Sequence, residues 1–168
     1  MPAPDRAESI RSAFLDALRA EGLSPEPMVE VAASSSGLVK QLFAALGQAG
    51  REVYLIRGVA LVNLHIRSEP PGWWNILKTV KHDLDAMAKE FRLNCIYVLL
   101  VGRDDRHIAD GYIVTDFDNP PFVRAPKGEV TKYSINERQH LDKRTLLLSV
   151  AKVAKVLASH RIAKADAP

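Results

Sequence analysis

Residues 59–76 read VALVNLHIRSEPPGWWNI, and this stretch decides how the chain is expected to fold. Over its first half apolar and polar residues alternate, which is the period of a strand with one buried face. Val62, Leu64 and Ile66 then share the core side, and the polar residues share the other. A proline pair and Gly72 end the strand in a rigid turn before two tryptophans. The sequence therefore predicts a strand whose polar face runs into an aromatic loop at the rim of a site.

The segments on either side of this strand extend the pattern. Alternation also runs upstream, so residues 52–67 are expected to form a β-hairpin with Gly58 at its turn. Downstream, apolar residues recur at helical spacing over 76–91 and predict an amphipathic helix. Residues 93–101 are continuously apolar, as is typical of a central strand covered on both faces, and a strand around 111–115 is expected to pair with it.

The remaining segments complete the expected order of elements. Helical spacing predicts helices over 5–21 and 36–47, and a closing helix between residues 146 and 157. A short strand is expected at 28–32, and an edge strand at 130–135. This mixture favours an α+β fold, in which a central mixed β-sheet is flanked by helices.

Length and composition limit the class of protein. The 168 residues, 47% hydrophobic and 26% charged, predict a single α+β domain over 1–161, with 162–168 as a flexible C-terminal tail. The only cysteine, Cys95, lies in an apolar run and is expected to be a buried thiol. Apolar runs fall well short of the roughly 18 residues of a membrane span, and the N-terminus does not resemble a signal peptide. A cytoplasmic protein is expected.

Positive charge is concentrated towards the C-terminus. Residues 1–121 carry 13 Lys/Arg and 16 Asp/Glu, whereas residues 122–168 carry 10 and 4. These cations can form a patch that attracts phosphate backbones. The alternative is a set of solvated residues on a final helix and the segment before it.

The layout of residues 36–118 resembles the restriction-endonuclease-like (PD-(D/E)xK) fold. The shared features are the hairpin with polar residues at alternate positions, the amphipathic helix, the apolar strand and the strand after it. In that family an acidic residue and a Glu/Asp-x-Lys pair on the hairpin hold Mg²⁺, which activates water for phosphodiester cleavage. The matching positions here hold Asn63, His65 and Arg67. The resemblance therefore implies a nucleic-acid-associated core whose nuclease activity is lost or relocated.

Candidate catalytic residues follow from the same resemblance. Arg67 can replace the lysine as a cation facing a phosphate, and nearby glutamates can supply carboxylates. The candidate set is Glu52, Asn63, His65, Arg67 and Glu69. Mg²⁺ is expected only if the protein is a nuclease. The alternative for this set is an ordinary solvated strand face.

A second group of carboxylates provides candidate metal ligands. Asp116 and Asp118 lie two positions apart, so in a continuing strand they share a face. The alternative is a turn near Asn119 and Pro120, where aspartates accept backbone hydrogen bonds.

The tryptophan pair is a candidate platform for unpaired bases. An indole stacks on any base, so Trp73 and Trp74 are candidate nucleic-acid-binding residues. Because successive residues of an extended chain point in different directions, we expect one indole in the core and one free. The basic residues expected to contact phosphates beside them are Arg124, Lys127, Lys132 and Arg138.

Two functions are compatible with these patterns. The first is association with DNA or RNA through the polar strand and the tryptophans. The second is a non-catalytic homo-oligomer or partner-binding module in which the tryptophan loop is the contact, because aromatic anchors commonly dominate interfaces. A small-molecule enzyme using Tyr112, Asp116 and His140 has no motif behind it. Neither a nucleophile elbow nor a Gly-rich phosphate loop is present in the sequence.

Overall fold

The computed structural model describes residues 5–104, 106–114, 122–124, 130–137 and 148–161, and for residues 122–124, 130 and 148 only the backbone. Its helices are α1 (Arg6–Ala20), α2 (Met28–Ala33), α3 (Leu38–Leu46), α4 (Lys78–Glu90) and α5 (Val150–Ser159), with a 3₁₀ segment at Gly47–Glu52. Its strands are β1 (Glu26–Pro27), β2 (Val53–Ile56), β3 (Ala60–Arg67), β4 (Trp73–Leu77), β5 (Cys95–Gly102), β6 (Ala109–Val114), β7 (Phe122–Arg124), β8 (Val130–Asn136) and β9 (Leu148–Ser149).

The strands form two sheets. The large sheet has the order β1-β2-β3-β5-β6-β9, and the small sheet has the order β4-β8-β7. In the large sheet β3 and β5 are parallel and joined through α4, while the other neighbours are antiparallel. The predicted α+β class, with a central mixed sheet flanked by helices, is confirmed.

The large sheet divides the hydrophobic core into two layers. On one face Val62 and Leu64 of β3 belong to one buried cluster with Phe14 of α1 and Leu157 of α5. On the other face Leu61 belongs to a second cluster with side chains of α2, α4 and the small sheet. The period of two along β3 therefore sends its polar residues to the side of the small sheet.

Most of the strongly periodic segments fold as predicted. The hairpin β2–β3 turns at Gly58, whose φ of +75° is strained for other residues. Asp5 caps α1 by accepting a hydrogen bond from the Ala7 amide at 3.1 Å. Helices α1, α3 and α4, the buried strand β5 and its antiparallel partner β6 all lie where periodicity placed them.

Three predictions of local structure were wrong. Residues 28–32 form helix α2 because Met28, Val31 and Ala32, at i, i+3 and i+4, all point to the core. Residues 73–77 form strand β4 rather than a loop, which delays α4 until Lys78. Strand β8 is the central strand of a second sheet rather than an edge.

Other expectations concern parts of the chain outside the described residues. Asp116, Asp118, Lys127, Arg138, His140 and the tail at 162–168 lie outside them. In the ranges that are described, no helix combines the length and the apolarity needed to cross a bilayer.

Candidate functional site

The polar row of β3 consists of Asn63, His65 and Arg67, which lie on one face of the strand. Asn63 is buried, and the other two are partly exposed towards the end of the strand. On the parallel neighbour β5, Tyr97 lies opposite Asn63 in the ladder. The His65 ring stacks on the Tyr97 ring with centroids 6.5 Å apart and an interplanar angle of 29°. The polar row is therefore packed against β5 and is not simply a solvated strand face.

A hydrogen-bond chain fixes the state of His65. The Asn63 side-chain amide donates to the Glu52 carbonyl oxygen at 3.3 Å, which leaves Asn63 Oδ1 as an acceptor. His65 Nε2 lies 2.6 Å from that oxygen, so Nε2 carries the ring proton and donates it. Burial lowers the pKa of His65 to about 4. At neutral pH the imidazole is therefore uncharged, and Arg67 is the cation of the row.

Arg67 meets Trp73 at the end of β3. Its guanidinium carbon lies 4.7 Å from the centroid of the indole, a cation–π contact. Its Nε atom is buried and has no hydrogen-bond partner among the described residues. A buried donor left without a partner is costly, and the described residues give this guanidinium no acceptor that would compete with a ligand.

The two tryptophans take opposite sides of β4, as expected from the period of a strand. Trp74 is 4% exposed, its Nε1–H donates to the Leu100 carbonyl oxygen at 3.3 Å, and its ring meets the Tyr112 ring edge-on. Trp73 is 41% exposed. Trp74, grouped with Trp73 as a candidate base-stacking residue, therefore belongs to the core, and the Trp73 indole is the accessible one.

The accessible indole begins an open surface that we name the outer face of the small sheet. Residues directly opposite each other in an antiparallel ladder share a face. The outer face consists of three such pairs, Trp73 with Asn136, Asn75 with Ser134, and Leu77 with Lys132. The intervening pairs, which include Trp74 with Ile135, turn inwards to the core.

The connection between β3 and β4 is held close to the large sheet. At Gly102, the last residue of β5, an added Cβ would overlap the Ser68 carbonyl oxygen. Only glycine allows the chain to pass this closely. This close passage places Arg67, at the end of β3, next to Trp73, at the start of β4.

The two candidate glutamates lie apart from His65. The Glu52 side chain forms an ion pair with Arg11 of α1, on the opposite face of the large sheet. Glu69 is exposed in the turn after β3. Among the residues that the structure describes, no three His, Cys, Asp or Glu side chains converge in a way that could hold a metal ion.

A group of polar and charged residues, of which only Tyr112 was a candidate from the sequence, fixes the small sheet. Arg103 donates to Asp110 at 2.8 Å and to Glu137 at 2.8 Å, and the Tyr112 hydroxyl donates to Glu137 at 2.6 Å. The Glu137 amide donates to the Gly72 carbonyl oxygen, directly before Trp73. We name Arg103, Asp110, Tyr112 and Glu137 the Arg103 clamp. Its members come from distant segments, so no local pattern in the sequence predicted that they meet.

Those basic residues of the C-terminal segment that the structure describes do not form one patch. Lys132 lies on the outer face of the small sheet. Lys152 and Lys155 are exposed on α5, which covers the opposite face of the large sheet. For Arg124 the structure gives a backbone position in β7, beside β8.

A separate cleft of about 710 Å³ lies between the ends of α4 and α5. Its lining includes Lys89, Arg92, Cys95 and His160. Burial raises the pKa of Cys95 to about 12, so the thiol stays protonated and unreactive. Lys89 and Arg92 flank the C-terminal end of α4, where cations stabilise the helix dipole. These residues have a structural explanation.

Comparison of the chain with protein-family models, with curated proteins and with solved structures gives no match.

Proposed function

We propose that the protein binds nucleic acid through the Arg67–Trp73 pair. The observation that carries the proposal is a guanidinium without an ion-pair partner among the described residues, held against an indole that is 41% exposed. Such an arginine keeps its charge and its donors for a phosphate. An indole face next to it can stack on a base.

The architecture around the pair also supports this proposal. The β2–β3 hairpin, the α4 connection to parallel β5 and the antiparallel β6 follow the order that resembles the restriction-endonuclease-like fold. In that resemblance Arg67 takes the place of the family's lysine as a cation facing a phosphate. Arg67 is the last residue of β3.

Binding is a better account of this site than phosphodiester cleavage. Magnesium needs oxygen ligands, and the polar row supplies an amide, a neutral imidazole and a guanidinium. Glu52 is engaged with Arg11 on the other side of the sheet. A nuclease activity would need carboxylates brought in from elsewhere in the chain.

Fluorescence anisotropy with a labelled 20-nucleotide single strand at low salt tests the proposal. Arg67→Gln removes one phosphate contact, and we expect it to reduce the slope of log affinity against log salt by about 1. Trp73→Ala removes the stacking partner, and we expect at least about fivefold weaker binding. Arg51→Gln removes the same charge from an exposed position outside the site and serves as the matched control. Absence of binding by the unmodified protein at low salt would overturn the proposal.

A protein partner on the same surface is the second candidate function. Leu77, which is 53% exposed, lies four residues from Trp73, at the other end of the outer face. An exposed aromatic and an exposed leucine on one face can both serve as interface anchors. Light scattering tests this candidate: a dimer that Trp73→Ala dissociates, in a protein that binds no nucleic acid, would favour it.

A further inference from the structure

We infer that the ligand is an unpaired strand of nucleic acid, which crosses the outer face of the small sheet with one base stacked on Trp73. This inference rests on the proposed function and adds the form of nucleic acid and its path. It follows from the shape, charge and chemistry of the outer face.

The shape of Trp73 favours an unpaired base. Arg67 covers one side of the indole, so one ring face remains for stacking. In a duplex the ring faces of the bases are covered by their neighbours, whereas in a single strand they are open. The exposed indole can therefore stack on an unpaired base without the cost of unstacking a duplex.

The charge of the outer face matches a phosphate backbone. Of the residues on the described part of this face, Lys132 is cationic and none is Asp or Glu. Arg67 adjoins the face at the Trp73 end, and Lys78 directly follows Leu77 at the other end. Cations at both ends of a face without carboxylates favour a polyanion over a basic partner.

The chemistry between the two ends suits base edges. Asn75 is exposed and lies opposite Ser134, between the Trp73 and Leu77 pairs. Amide and hydroxyl groups both donate and accept, so they can hydrogen-bond to the polar edges of different bases. Such a surface binds without reading a fixed sequence.

The length of β4 sets the footprint. Trp73–Leu77 spans five residues, or about 13 Å at the usual rise of a strand. At about 3.4 Å or more per nucleotide, since unstacked bases lie further apart than stacked ones, this is room for at most about four nucleotides. We expect affinity to rise with strand length up to about this number per protein and then to level off.

Three probes test the inference: a 12-nucleotide oligo-dT, an abasic strand of the same length, and a 12-base-pair duplex. Oligo-rU is a fourth arm that compares RNA with DNA. We expect oligo-dT to bind at least about fivefold more tightly than the abasic strand and the duplex, because they offer phosphates without open bases. Oligo-dT should also quench the tryptophan emission, and Trp73→Phe should remove most of that change because Trp74 is buried.

Variants of the outer face test where the bound strand runs. We expect Asn75→Ala and Ser134→Ala each to weaken oligo-dT binding a few-fold, while Arg51→Gln matches the unmodified protein in preferring oligo-dT over the duplex. Equal binding of all probes, insensitive to Trp73, would overturn the inference and leave the proposed function standing. No binding of any probe would overturn both. A dimer that covers the outer face and dissociates in Trp73→Ala would also overturn the inference.

Discussion

At the scale of single residues, Asn63 fixes the tautomer of His65, and burial keeps the ring uncharged. The Asn63 amide is oriented by the Glu52 carbonyl, and its oxygen accepts the proton of His65 Nε2. A charged imidazole would carry a proton on both ring nitrogens. The second N–H would then need an acceptor among the few groups buried beside it. The neutral ring instead stacks on Tyr97 and leaves Arg67 as the cation that faces a ligand.

The low pKa of His65 predicts a pH-dependent stability. The ring has a pKa near 6.5 in the unfolded chain and about 4 in the folded protein, so protons favour the unfolded state between these values. This destabilisation is absent well above pH 6.5 and grows as pH falls towards 4. Because the ring is partly exposed, we expect it to cost about 1–2 kcal/mol between pH 7 and pH 5.

Urea unfolding of the unmodified protein and of His65→Gln, each at pH 7 and pH 5, measures this effect. The variant cannot titrate, while its amide can still donate to Asn63. It should therefore lose about 1–2 kcal/mol less stability over this interval. An equal loss in the two proteins would show that His65 titrates normally.

At the scale of elements, the small sheet depends on the Arg103 clamp. A three-stranded sheet is near the minimum for independent stability, so β4, β8 and β7 need to be anchored to the larger sheet. The clamp joins the ends of β5 and β6 to residue 137 after β8. It also fixes the turn at Gly72 from which Trp73 emerges.

Glu137→Gln should loosen the small sheet. Burial opposes ionisation of Glu137, but hydrogen bonds from Tyr112 and Arg103 outweigh it and lower the pKa of this carboxyl. Arg103 keeps Asp110 in the variant, so we expect a loss of about 2–3 kcal/mol, below the usual cost of breaking a buried ion pair. Amide hydrogen exchange should quicken first in β4 and β8.

Glu26→Gln is the matched control, because the Glu26–Arg57 ion pair is exposed and should contribute less than about 1 kcal/mol. The lowered pKa of Glu137 also predicts how the stability of the protein changes with pH. The stabilisation by Glu137 is present above the unfolded pKa of roughly 4.3 and is lost as pH falls through the folded value. Equal losses in the two variants, with unchanged exchange in β4, would contradict the anchoring role.

How far the sequence predicts this fold depends on the range of the interactions. The hairpin, α4 and β5 are encoded by local periods of two and 3.6, and they were predicted. Pairing of β4 with β8 joins segments about 60 residues apart, and no local pattern reports it. In the site, Arg67 and Trp73 are close in sequence and were both singled out, whereas Arg103 and Glu137 meet only through the fold.

At the scale of the whole molecule, the large sheet separates two groups of C-terminal cations. Lys132 belongs to the outer face of the small sheet, while Lys152 and Lys155 lie on α5 beyond the opposite face. A strand of about four nucleotides on the outer face is too short to reach around the sheet. The net charge of +3 belongs to the whole chain, and it is therefore a poor measure of the charge on the proposed binding surface.

This separation predicts unequal effects of equal charge changes. Lys132→Gln should weaken oligo-dT binding and lower the salt slope by about 1, because it removes one phosphate contact. Lys152→Gln and Lys155→Gln should change neither quantity, since beyond one Debye length, about 10 Å at 0.1 M salt, their charges are screened. Anisotropy titrations at several salt concentrations compare the three variants directly. If the α5 variants lower the slope as much as Lys132→Gln does, the strand follows a different path, because α5 and the outer face lie on opposite sides of the large sheet.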